Sequence, residues 1–202
     1  MLDLAGIEDY VSDVIAAAES LPRPPVLIGH SMGAIVVQRA ARRARAPAMV
    51  LLAPVPPHGL SGSVLSLAMR DPPLFFALNT LELGGEASSL RRMRDYLFSA
   101  SVTEADVSRY LRRSQRESQR ALLDLAWPQH AWIRDSVGVP ALVAGAADDA
   151  FFSASMVEEA ARFHGVTPEI FPRMAHAMML EPGWEDVAAR LHSWLVTRAG
   201  TG

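Results

Sequence analysis

Short apolar runs at 26–28, 48–52, 140–144 and 168–171 alternate with longer segments whose apolar residues recur every three or four positions. Ala48–Leu52 is hydrophobic throughout, which is how a strand buried on both faces reads. Asp3–Glu19 puts Ile7, Val11, Val14, Ile15 and Ala18 on one helical face and is closed by Pro22, Pro24 and Pro25. Helices are likewise predicted over Ala34–Ala44, Ser153–His164 and Pro182–Arg198, the last with a stripe of Val187, Leu191, Trp194 and Leu195. Strands alternating with helices predict an α/β fold, a mostly parallel sheet covered by helices. In such sheets, chemistry collects at the carboxyl ends of the strands.

The alternation breaks between residues 59 and 134, where no strong strand signal occurs. Helices are predicted there over Thr103–Ser114, opened by Thr103 and Asp106 in capping-box positions, and over Glu117–Ala126. The expected organisation is one core built from 1–58 and 135–202, with 59–134 as a helical cap inserted into it.

Composition removes several functions. The chain has 202 residues, half of them hydrophobic, a fifth charged, and a formal net charge of −3. That balance gives no electrostatic footprint for nucleic acid. No cysteine is present, so disulfides, thiolate catalysis and cysteine-held metal are excluded. No histidine–carboxylate cluster in the sequence suggests a metal, and no cofactor is expected. No apolar stretch approaches a membrane-spanning length, and the first residues lack the basic start of a secretion signal, so a cytoplasmic location is expected.

The sharpest motif is Gly29-His30-Ser31-Met32-Gly33, directly between a strand and a helix. In that context a G-x-S-x-G turn is tight enough to need glycines and lifts a serine hydroxyl into the cleft. The Met32 N–H, at a helix start, faces developing negative charge. A serine needs a base, and the base needs an acid to hold its tautomer. His176, on the loop between the last strand and the last helix, is the histidine placed to serve; His30 sits inside the turn with its side chain expected to point away from the serine. Asp148 and Asp149 both follow the strand at 140–144, and either satisfies the chemistry. No carboxylate occurs between Ala53 and Arg70, which excludes an acid just after the second strand.

Taken together, LIGHSMGA, VAGAADDAF and MAHAMMLEPGWEDVAARLHSWL are similar to three signature stretches of the α/β-hydrolase superfamily, and the whole chain resembles it. The resemblance implies a serine hydrolase, a probe-able esterase-like activity, and a triad of Ser31, Asp148 and His176, the family spacing favouring Asp148 over Asp149. It also implies an oxyanion donor at Met32 and a helical cap over the site. Members carry strands and an HG-type loop ahead of this point; no HG loop precedes Ser31, so an upstream part is expected to be missing. The run at 26–28 would then be a bare sheet edge, a surface through which a homodimer could form.

A small apolar acyl substrate is expected, bound by His30, Met178, Phe75 and Phe76, the phenylalanines forming part of an apolar roof. The rival expectation is a non-catalytic or weakly active hydrolase-like module for binding or assembly, because one donor to an oxyanion is unidentified. Losing such a donor lowers turnover by about 100- to 1000-fold.

Overall fold

The computed structural model describes residues 4–62, 69, 94–114 and 117–199. Four parallel strands form one sheet in chain order: β1 (Leu27–His30), β2 (Met49–Leu52), β3 (Ala141–Ala146) and β4 (Glu169–Phe171). Helix α1 (Ile7–Glu19) precedes β1, and α2 (Met32–Ala40) links β1 to β2. The long connection from β2 to β3 contains α3 (Glu104–Leu111), α4 (Gln119–Ala126) and a single turn, α5 (His130–Ile133). Helix α6 (Ala154–Phe163) joins β3 to β4, and α7 (Trp184–Ala199) follows β4.

Side-chain alternation along the strands sorts the core into two layers. Met49 and Leu51 of β2, with Ala141 and Val143 of β3, pack against Ile7 and Val11 of α1, Ile35 of α2, and Val157 and Ala161 of α6. Val50 and Leu52, with Leu142 and Ala144, face the other way and meet Val187, Leu191 and Trp194 of α7. The two inner strands are thus wrapped on both faces, as their uninterrupted apolar runs require.

Strand β1 differs. It pairs only with β2 among the described residues, and while Leu27 is buried, Ile28 on the opposite face is 52% exposed. Helix α7 packs on the face formed by β2 and β3.

Helix ends follow local chemistry. The Thr103 hydroxyl accepts the Asp106 N–H at the start of α3, and the Ser118 hydroxyl accepts the Ala121 N–H at the start of α4. Ser118 also donates to the Ala5 carbonyl at 2.6 Å, tying this connection to the chain ahead of α1. Helix α2 is shorter than the sequence pattern predicts, ending at Ala40 before a turn in which Arg45 takes a positive φ. Among the described residues, no helix is long and apolar enough to cross a membrane.

One histidine is stranded in this packing. His164, at the end of α6, donates Nε2–H to Gln38 Oε1 at 2.8 Å, while its buried Nδ1 has no partner. Burial lowers its pKa to about 4. The unfolded chain therefore binds a proton between pH 6.5 and 4 that the folded chain refuses, and stability falls as pH drops through that window. His164→Gln is expected to lose about 1 kcal/mol less than the parent between pH 7 and pH 5, measured by urea unfolding at both.

Candidate active site

Ser31 ends β1 and caps α2 with φ 54° and ψ −120°, outside every region that L-residues favour. The sheet ladder imposes this. The Ser31 N–H still donates to Leu52 as a strand residue would, at 3.0 Å, while its carbonyl already accepts from Ala34 at 3.0 Å as a helix N-cap would. One residue therefore makes the whole strand-to-helix turn. The Met32 N–H, first of α2, has no acceptor within the helix.

The two glycines of the turn are not equivalent. A Cβ on Gly29 would lie 2.3 Å from the Gly33 carbonyl oxygen and 2.8 Å from Ala34 Cα, so that approach admits glycine only. A Cβ on Gly33 would meet nothing within 4 Å. The expectation that both glycines relieve a collision holds for Gly29 alone, because Gly33 already lies in the first turn of α2 and faces open space.

His176 sits on the loop between β4 and α7, only 4% exposed. Its Nδ1–H donates to Asp149 Oδ2 at 2.8 Å, and the Asp149 side chain is fully buried. The other oxygen of that carboxylate, Oδ1, accepts the Phe151 N–H at 2.8 Å and the Phe152 N–H at 2.9 Å. Three donors thus hold one buried carboxylate, which offsets the cost of removing its charge from water. With Nδ1 donating, the lone pair of neutral His176 is on Nε2.

The partner of His176 is therefore Asp149 and not Asp148, a correction to the sequence expectation. Asp148 donates its N–H to the Met174 carbonyl at 2.9 Å and leaves its side chain exposed. Asp149 can turn inward because its carboxylate closes a local turn on the two amides that follow it. Neighbouring aspartates after one strand cannot both point into the site.

Rings enclose the imidazole. Phe151 and Phe152 meet it edge-on, with centroids 5.0 and 5.3 Å away, and His30 lies 4.7 Å away, tilted by 52°. His30 is half-buried, and its Nε2–H donates to the His176 backbone carbonyl at 2.8 Å. Burial first, and then the neighbouring His176, lower the His30 pKa to about 4. Phe151 and Phe152 had no role in the sequence reading; two aromatics just after the paired aspartates were their only signal.

The expected substrate contacts fare differently. Met178 is not a cleft wall: it is fully buried in the layer between the sheet and α7, beside Val50, Leu142 and Val187. A 3-10 turn at Met178–Leu180 rotates each residue by about a third of a circle, sending Met178 inward and leaving Met179 40% exposed. Phe75 and Phe76 lie outside the described residues.

The His176 loop is also joined to the β2–β3 connection. Ala177 N–H donates to the Leu97 carbonyl at 2.9 Å. The buried Glu181 carboxylate accepts the Ser99 N–H at 2.7 Å and the Ser99 hydroxyl at 2.5 Å. Phe98, Val102 and Val107 pack with Ala177 beneath this junction. Nothing in the sequence pattern marks Glu181 as buried. Among the described residues, no cluster of three or more histidine or acidic side chains is arranged to hold a metal ion.

A strained serine after β1, and a buried aspartate–histidine pair after β3 and β4, agree with comparison against known families: residues 2–190 match the alpha/beta hydrolase family. The chain belongs to that family. Solved structures share its fold. A thermophilic esterase from Thermogutta terrifontis, with malate bound, superposes with a TM-score of 0.74 at 18% identity, over 98% of this chain and 75% of the esterase. A carboxylesterase structure from the thaumarchaeon Nitrososphaera gargenis gives 0.72 at 13% identity, over 99% and 75%. The monoacylglycerol lipase of Paleococcus ferrophilus gives 0.64 at 19% identity, over 96% and 77%. No curated protein matches the sequence.

Within this alpha/beta hydrolase, the asymmetry of the elbow glycines is directly measurable. Gly29→Ala is expected to destabilise the fold by about 3 kcal/mol, because the clash is with backbone that cannot move aside. Gly33→Ala is expected to leave stability unchanged or raise it by up to about 1 kcal/mol, through helix propensity. Urea unfolding of both variants checks the pair; equal effects would contradict the geometry.

Proposed function

We propose that the chain is a serine hydrolase acting on carboxylic esters or related acyl compounds, with Ser31 as nucleophile, His176 as base and Asp149 as the acid that orients it. The observation that carries this reading is the buried Asp149–His176 hydrogen bond, which leaves Nε2 of the imidazole as the acceptor. Ser31, in a conformation that only an over-determined turn sustains, supports the same assignment.

The chemistry follows from those atoms. His176 Nε2 takes the Ser31 hydroxyl proton as Oγ bonds to the substrate carbonyl carbon, and the carbonyl oxygen becomes an oxyanion received by the Met32 N–H. Collapse of this intermediate breaks the bond to the leaving alcohol, which takes the proton from the imidazolium. Water then attacks the acyl-enzyme, giving its proton to the same Nε2, and the acid departs as Ser31 regains its hydrogen. Asp149 stays ionised throughout and stabilises each imidazolium. Phe151 and Phe152, against the imidazole, exclude water around it and strengthen these interactions. The 59–134 segment acts as a cap over an apolar acyl group in this reading. The solved relatives described as esterases and a lipase support the ester class.

A non-catalytic module is the second reading, favoured by the half-exposed Ile28 and by β1 having β2 as its one strand neighbour among the described residues. Labelling with a fluorophosphonate, together with hydrolysis of a short-chain p-nitrophenyl ester, separates the two. Label on Ser31 and turnover lost in Ser31→Ala are expected; a folded chain that takes no label and turns over no ester favours the module. Asp149→Asn should lower kcat by about 10³- to 10⁴-fold, whereas Asp148→Asn should stay within about threefold of the parent. The opposite order would return the acid role to Asp148.

A further inference from the structure

We propose that His30 is a positioning residue: through its hydrogen bond to the His176 carbonyl, the elbow fixes the distance between Ser31 and the base. The inference rests on the serine hydrolase reading above.

His30 and Ser31 are consecutive, and His30 is itself pinned by the ladder, opposite Leu52 of β2. Its ring reaches across to a residue 146 positions away in sequence, where Nε2–H meets the His176 carbonyl at 2.8 Å. A carbonyl only accepts, so the proton on Nε2 is assigned by the contact itself. The same carbonyl accepts the Met178 N–H at 2.9 Å across Ala177, whose φ of −81° and ψ of 53° define an inverse γ-turn. Both lone pairs of that oxygen are thus engaged, one by the loop's own turn and one by the elbow.

The consequence is geometric. His176 belongs to a loop with only short local structure between β4 and α7, and its imidazole is aimed from one side by Asp149. Asp149 fixes the ring's tautomer and tilt, but it cannot fix how far the loop stands from β1. The His30 bond supplies that missing restraint, one residue from the nucleophile and on the backbone of the base. A displacement of about 1 Å between reacting groups is enough to lower a rate by about 10²-fold. Burial keeps His30 neutral in the working range, so its ring serves as a donor and not as a second base.

Steady-state kinetics of three variants test this, each checked for folding by circular dichroism and thermal unfolding. His30→Phe keeps the ring volume and removes the donor; it is expected to lower kcat by about 10- to 100-fold with KM within about threefold. His30→Gln, whose amide can donate, is expected to recover most of the loss, and His30→Asn, too short to reach, is not. If His30→Phe does not fold, the contrast between Gln and Asn decides alone. Unchanged kcat with a raised KM would make His30 a substrate contact, and equal losses in Gln and Asn would make it packing; either overturns the proposal. The fluorophosphonate experiment keeps the two levels apart: a parent chain unlabelled at Ser31 overturns the hydrolase reading and this proposal with it. A labelled, active parent whose His30→Phe variant retains full kcat overturns only the proposal.

Discussion

A single residue, Ser31, has to finish a parallel strand and begin a helix at once, and the surrounding architecture holds it there. A non-glycine residue in such backbone geometry costs about 1–3 kcal/mol. The hydrogen bonds from Ser31 to Leu52 and from Ala34 to Ser31, and the contact of Gly29 with the Gly33 backbone, are what oppose that cost. Remove the ladder between β1 and β2 and the turn would relax into an ordinary loop. The helix would then no longer start at Met32, one residue after the strand. The core is arranged to prevent this: α2 is buried from Ala34 to Gln38 between α1 and the sheet.

The second element is electrostatic. A carboxylate fully removed from solvent is costly unless every lone pair that matters is met. Asp149 satisfies this with two backbone amides from its own turn and one imidazole from a loop 27 residues on. The local bonds make the acid part of the β3–α6 turn, so it is rigid before the histidine arrives. Ser31, Asp149 and His176 follow the ends of β1, β3 and β4, and so lie toward one rim because those strands belong to one parallel sheet.

Much of this was legible in the residues. The buried inner strands announced themselves as unbroken apolar runs, and the elbow and the position of His176 followed from where the strands end. What stayed hidden depends on rotations that sequence does not encode. Asp148 and Asp149 have the same chemistry and neighbouring positions; only the direction in which the turn closes separates them. Met178 looked suited to a cleft, and a 3-10 turn sends it into the core while its neighbour Met179 stays exposed. His30 read as a substrate contact pointing away from the serine, and no pattern signalled the bond its ring makes to the backbone carbonyl of His176. Glu181 resembles any charged residue ahead of a helix, and its burial arises from a contact 82 positions distant.

That last contact has a bearing on how such a scaffold can change. The Ser99–Glu181 junction and the Ala177–Leu97 bond stitch the β2–β3 connection to the very stretch of chain that carries the imidazole. Replacing the stretch around Leu97 and Ser99 would leave the Glu181 carboxylate buried without those donors and would pull on the loop that carries His176. Grafting experiments, and natural drift alike, are therefore constrained at these two small backbone addresses.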